Sequence, residues 1–191
     1  MKYIEILNQF DASISAHISE FATHLNNVSF DTENGVLFTL SDDFDNTTFF
    51  SQVKKKGVYL FELNLDSDRL SGKKRETKIK NFAEDWSKKK HDSFFSSSVI
   101  KKRLSMYEKF DKQWLPLYIG KNKDIYKRIL EHINLSTDKN TYAMKLKHRK
   151  NLHGLQFRVS VIEIDVINYD FIVPHIERIL REKYHPLIGK Q

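Results

Sequence analysis

The sequence predicts an α+β fold: three core strands separated by helices, with a helix-and-hairpin element in front and a helical insertion between the first two strands. Three observations predict it. Apolar, β-prone runs at 57–63, 114–119 and 157–164 are of strand length, and helical periodicity lies between and after them. The 191 residues are 40% hydrophobic and 13% aromatic, enough for one domain with elaborations. The charge divides the chain: residues 1–53 hold one basic and eight acidic residues, net −7, whereas residues 54–191 carry +14 within the total of +7. Residues 1–53 therefore read as an acidic N-terminal element, and 54–191 as a basic body with an insertion at about 66–113.

Each element follows from its pattern. Ile4, Leu7, Phe10, Ile14, Ile18, Phe21 and Leu25 predict an amphipathic helix over 3–25, with Asp11 as a point of breakage. Val28-Ser29-Phe30 and Val36 to Leu40 flank Asn34-Gly35, a pair that suits a tight hairpin turn. Asp42, Asp43 and Asp45 lack the terminal glutamate of a calcium loop, since Lys54 stands at that place, and read as a turn or cap. Gly57 to Leu63 is the first core strand. Within 68–109 there are 13 basic and six acidic residues, and Phe82, Trp86, Phe94, Phe95, Val99, Ile100, Leu104 and Tyr107 carry helical spacing. Two or three helices joined by Ser96-Ser97-Ser98 are expected there. Trp114 to Ile119 is the second strand, ending in a turn at Gly120. A helix over 122–133 buries Ile125, Ile129 and Ile133. Asn140 or Thr141 is positioned to cap another helix through Arg149. Phe157 to Ile164 alternates as a third strand. Pro174 suits the first turn of a helix running to Tyr184, and Pro186 stops it.

The composition also narrows the function. No apolar run of membrane-spanning length occurs, and the N-terminus lacks the apolar stretch of a secretory signal. The chain has no cysteine, which excludes disulfides and thiolate metal sites and fits a cytoplasmic protein. A strongly basic body suits a polyanion such as nucleic acid.

Residues able to do chemistry sit at suggestive places. Tyr59 lies on the first strand. Tyr118-Ile119-Gly120-Lys121 ends the second. Arg128 and His132 follow four residues apart, on one helical face. Glu177 lies on the last helix. Phosphodiester hydrolysis needs an activated water, stabilisation of a highly charged phosphate, and help for the leaving oxygen. Glu177 suits Mg²⁺, with Mn²⁺ as a substitute, because one carboxylate, phosphate oxygens and waters satisfy such an ion. Arg128 offers a planar fork for phosphate oxygens. Tyr59 can orient or deprotonate the water, although a phenol near its usual pKa of about 10 is a poor base. Lys121 can lower that pKa or steady the transition state. Tyr118 can position the nucleophile or bind a phosphate oxygen, and His132 can accept a proton or hold Tyr118 or Arg128.

The order of these residues resembles the GIY-YIG nuclease family, and His132 resembles a histidine of its restriction-endonuclease-like branch. Gly57-Val58-Tyr59 stands for the first motif and Tyr118-Ile119-Gly120 matches the second literally. Lys121, Arg128 and Glu177 match the lysine, arginine and glutamate of the family pattern. The resemblance covers about residues 54–191. It implies a small three-stranded antiparallel sheet flanked by helices, and a metal-dependent DNA endonuclease. The chain departs from the family in the roughly fifty residues between the two motifs, and in Gly189, which stands where the family often has an asparagine.

The expected function is therefore Mg²⁺-dependent cleavage of double-stranded DNA, in the manner of a site-specific type II restriction enzyme. A repair, recombination or mobile-element nuclease, and a catalytically lapsed DNA-binding module, are the alternatives. Expected DNA contacts are Lys145, Lys147, His148, Arg149 and Lys150 on or just after one helix, and Lys101, Lys102 and Arg103 in the insertion. A two-fold homodimer, assembled through the acidic element, is the expected route to double-strand cleavage.

Overall fold

The computed structural model describes residues 2–25, 27–44, 50–53, 55–67, 70, 72, 74–88 and 98–189. It is an α+β fold built on one antiparallel sheet. Helix α1 (Lys2–Leu25) leads to strand β1 (Val36–Thr39), and β2 (Gly57–Asn64) follows. Helix α2 (Arg75–Ser87), the two-residue strand β3 (Ser98–Val99) and a 3₁₀ segment (Lys101–Tyr107) come next. Then come β4 (Trp114–Asn122), α3 (Ile125–Asn134), β5 (Gln156–Glu163), α4 (Tyr169–Tyr184) and the short β6 (Ile188–Gly189). The sheet has the order β1-β5-β2-β4. Strands β3 and β6 pair as a separate ribbon.

The sheet thus has four strands rather than three. Residues 28–30 form no strand, so the expected N-terminal hairpin is absent among the described residues. Val36–Thr39 pairs instead with β5, placing Phe38 opposite Phe157 with their rings stacked at 5.4 Å. The reason is burial: Val36 and Phe38 gain a core by joining the sheet edge, which a lone two-stranded hairpin does not offer.

Strand β2 is buried at all eight positions because both faces of the sheet are covered. Tyr59, Phe61 and Leu63 point into a core completed by Ile79, Phe82 and Trp86 of α2 and Ile125, Ile129 and Ile133 of α3. Val58 and Leu60 point oppositely, onto Val173, Ile176 and Leu180 of α4, with Leu25 and Phe30 closing that side. The alternation is the period-two geometry of a strand. Gly57, at φ 147°, starts β2 in a conformation that a side chain would strain, and any Cβ would meet the Ile162 carbonyl.

Other expectations change at their boundaries. Helix α1 runs unbroken through Asp11, and its first half stands clear of the body with Ile4, Leu7 and Phe10 exposed. Among its described residues the insertion contributes one α-helix, a 3₁₀ segment and a strand, where two or three helices were expected; residues 89–97, which include Phe94, Phe95, Ser96 and Ser97, lie outside the described residues. The helix expected at 140–149 is replaced by two 3₁₀ turns, Leu146–His148 and Lys150–Leu152, after a left-handed Lys145. Buried side chains there satisfy the backbone in place of a helical ladder. Helix α4 begins at Tyr169, which puts Pro174 in its second turn. Asp42 and Asp43 are exposed, Asp42 pairing with Lys150, while Asp45 lies outside the described residues. Among the described residues, no helix is long and apolar enough to cross a membrane.

Because β1 belongs to the main core, Phe38→Ala should lower the unfolding free energy by about 3–5 kcal/mol. Urea denaturation of the full chain measures this. A loss below about 1 kcal/mol would show that β1 is peripheral to the fold.

Candidate active site

Strand register brings the chemical residues together. Tyr59 stands opposite Gly120, and Phe61 opposite Tyr118. Directly opposed residues share a face of the sheet, so both tyrosines lie on the α3 side. Lys121 stands opposite Val58 and faces α4. Strand β4 forms the sheet edge, and there the two sides meet at a cavity of about 370 Å³. Tyr59, Tyr118, Lys121, Arg128 and Glu177 all line it. Gly120 and Gly189 form part of its wall. Tyr142 and Arg181 complete it, and neither was assigned from the sequence. Arg181 had a signal, its i+4 spacing from Glu177; Tyr142 had none.

Gly120 is not a turn. Strand β4 continues through it to Asn122, and its missing side chain is what the site uses. A Cβ at 120 would lie 2.5 Å from the Tyr59 hydroxyl oxygen and 2.8 Å from a Tyr118 ring carbon. The two tyrosine rings therefore close over this glycine, with centroids 6.2 Å apart.

His132 is fully buried behind Tyr59 rather than lining the cavity. Its Nε2 lies 2.8 Å from the Tyr59 hydroxyl, and its Nδ1 accepts the Met144 backbone N–H at 3.0 Å. Burial holds the ring well below its usual pKa, and the nearby Arg128 charge adds to this. The ring is therefore neutral. With Nδ1 used as an acceptor, its hydrogen sits on Nε2 and is donated to Tyr59. So His132 is a positioning residue for Tyr59, and in this tautomer it does not take the tyrosine's proton. Burial likewise pushes the Tyr59 phenol well up, with Tyr118 adding to the effect and Arg128 opposing it. Tyr118 is also raised by burial and partly offset by Arg128. Both phenols are protonated at rest.

Asp124 caps α3 by accepting the Lys127 N–H at 3.0 Å, which fixes where the helix starts and so where Arg128 emerges. Arg128 donates to Glu131 at 2.5 Å, which steadies its guanidinium at the cavity. Lys121 donates to Glu177 Oε2 at 2.6 Å, and Arg181 lies 3.9 Å from Oε1. Among the described residues, no group of three or more His, Cys, Asp or Glu side chains surrounds a metal position. Glu177 is the carboxylate in the cavity, and its Oε1 lies beyond hydrogen-bond distance of Arg181. That oxygen fits Mg²⁺, which keeps waters and takes phosphate oxygens for most of its shell.

The predicted DNA contacts divide. Lys145 is fully buried and donates to the Lys139 carbonyl at 2.6 Å. Arg149 is buried, donates to the Met144 and Trp86 carbonyls at 3.0 Å, and stacks 3.8 Å above the Trp86 ring. Arg149 ties the 140–150 segment to α2 and Lys145 ties it to the loop that follows α3, and both side chains are buried. Lys147 and His148 are half-buried; Lys150 is exposed but pairs with Asp42. Lys101 and Lys102 are exposed, and Arg103 is half-buried. A larger cavity of about 640 Å³ lies elsewhere, among Lys55, Lys56, Glu163 and Asp165. Lys55 pairs with Glu163 at 2.8 Å and Lys56 with Asp165 at 2.9 Å, Lys123 and Asp124 also line it, and none of the predicted chemical residues does.

Comparison with protein families, characterised proteins and solved structures finds no match to this chain.

The buried neutral histidine has a consequence for stability. The unfolded chain takes up a proton at His132 near pH 6.5, which the fold resists. Its contribution is therefore complete above that pH and lost as pH falls. Below about pH 6 the unfolding free energy of the wild type should fall more steeply than that of His132→Gln, by up to ~1.4 kcal/mol per pH unit. Denaturant titrations between neutral and acid pH measure the difference. Parallel slopes would place a charged histidine in the core.

Proposed function

We propose that this chain is a metal-dependent endodeoxyribonuclease of the GIY-YIG type, acting on duplex DNA as a type II restriction-like enzyme. The observation that carries this reading is the meeting of Tyr59, Tyr118, Lys121, Arg128 and Glu177, from two strands and two helices, around one cavity. Residues chosen only by their order in the chain had no need to converge. The order of β2, β4, α3, β5 and α4 also supports the family reading, with β1 as an addition at the far edge.

The residues divide the work of hydrolysis. Arg128 grips non-bridging phosphate oxygens with its planar fork. Tyr59 keeps an oxygen lone pair for the attacking water, while the His132 N–H holds its hydroxyl in place. Because burial keeps the phenol protonated, Tyr59 orients the water first. It acts as a base only after its own proton has passed to solvent, when the His132 N–H and the Arg128 charge stabilise the phenolate, which then takes a proton from the attacking water. Tyr118 stacks beside it and walls off bulk water. Lys121 stands where it can steady the developing charge or the leaving oxygen. Glu177 would hold Mg²⁺ or Mn²⁺, whose contribution is to neutralise and polarise the phosphate. The apolar stripe of α1 supports a two-fold dimer, since Ile4, Leu7 and Phe10 stay exposed on the single chain.

A second reading, a catalytically lapsed DNA-binding module, rests on the close Lys121–Glu177 pair and on Gly189. A repair or recombination nuclease shares the same chemistry and differs in substrate.

Incubation with plasmid DNA and Mg²⁺, with mapping of the ends, separates these readings. Discrete fragments from plain duplex fit restriction, and cuts confined to branches or lesions fit repair. Tyr59→Phe should slow cleavage by about 10²–10⁴-fold and Arg128→Ala by about 10²–10³-fold. Glu177→Ala should abolish metal-dependent cutting while DNA binding persists. Absence of cleavage of varied sequences with either metal would sink the nuclease reading.

A further inference from the structure

A second cavity adjoins the candidate active site. It measures about 350 Å³ and is lined by Arg103, Pro174, Glu177, Arg178, Arg181 and Glu182. Glu177 and Arg181 line both cavities, so the two share a wall on α4. We propose that this second cavity is a phosphate-binding subsite that grips the nucleic-acid backbone beside the phosphate being cut, a role that rests on the nuclease reading.

The cation supply is the first reason. Three guanidiniums from two elements border the cavity: Arg103 from the 3₁₀ segment, and Arg178 and Arg181 from α4. Glu177 is already engaged by Lys121 at 2.6 Å. Among the described residues, neither Arg178 nor Glu182 makes an ion pair. Arg103 is tethered by donating to the Pro186 carbonyl, so its side chain does not swing away to solvent. Burial, and then the charge of Arg181, lower its proton affinity. The Arg103 and Arg181 charges thus repel one another, offset only in part by Glu177, which lies 3.9 Å from Arg181 and is already engaged by Lys121, and by Glu182 at the cavity wall. A bound phosphate would relieve that repulsion, and guanidinium forks match its oxygens.

Gly189 is the second reason. A Cβ at this position would lie 2.8 Å from the Arg181 NH2 nitrogen and 3.3 Å from Ile100 Cδ1. Glycine here lets Arg181 lie between the cavities, where it serves both. The departure from the family's asparagine therefore makes room for a cation at the junction. Two adjoining anion sites with a shared arginine suit successive phosphates of one strand better than a single small anion.

The test is equilibrium binding of a 20-base-pair duplex to the full chain in EDTA, across a salt series. Arg178 is exposed, so Arg178→Ala should keep the wild-type melting temperature. It should make the log–log salt slope shallower by about 0.9, one phosphate contact. Arg103→Ala should do the same, and Arg178→Lys should restore most of the slope. Unchanged slopes in both alanine variants overturn the subsite. Wild-type protein that cuts no DNA, yet loses slope in both variants, retains the subsite and loses the nuclease reading. Normal cleavage with unchanged slopes does the reverse.

Discussion

The hydrogen bond between His132 and Tyr59 organises this molecule. It joins α3 to the central strand inside the core, and it is extended by the Met144 N–H on the other ring nitrogen. Two buried polar side chains and one backbone donor satisfy one another there, which is the condition under which polar groups are tolerated in a core. The consequences spread outward. Tyr59 is held over Gly120, whose lack of a side chain admits the ring. Tyr118 stacks alongside, and both hydroxyl-bearing rings are presented at the cavity wall. The 140–150 segment is drawn in by the Met144 N–H bond to His132, and the buried Lys145 and Arg149 then tie it to the carbonyls of Lys139, Met144 and Trp86.

Around that neutral centre the charges are arranged for an anion. Lys121, Arg128 and Arg181 surround a cavity with one carboxylate, Glu177, which stands between two of them. The sheet separates the tyrosines from the lysine and glutamate, and only at the β4 edge do they face the same space. An edge strand is where groups from both faces of a sheet can meet. Helix α4 carries Glu177, Arg178 and Arg181 on neighbouring turns, so one helix serves the candidate site and the cavity beside it. Among the described residues, the acidic N-terminal element reaches the basic body through Asp42, which pairs with Lys150 and lies 3.7 Å from His153 Nδ1.

Much of this was legible in the chain. Strand-length apolar runs, the isoleucine spacing of α3 and the order of the tyrosines, lysine, arginine and glutamate are local patterns. They report on which face is buried and which types of chemistry are at hand. Less legible was anything requiring a partner. Val36–Thr39 has the same alternation whether it pairs with 28–30 or with β5, because alternation names a face and not a neighbour. Asn140 and Thr141 look like helix caps, yet no helix follows, because the segment is tied down by residues distant in sequence. Lys145 and Arg149 read as surface cations, since burial of a charged side chain depends on carbonyls that a sequence does not locate.

The sequence by itself determined the α+β class, the positions of the core strands and of α3, and the inventory of groups able to handle phosphate. Periodicity and residue chemistry are carried by each segment alone. Only the tertiary structure decided that β1 is a fourth strand, that His132 backs Tyr59 rather than facing the cavity, and that Gly120 is needed for space. Those outcomes depend on strand register and on which side chains occupy the same volume, and such constraints exist only once distant segments are packed together.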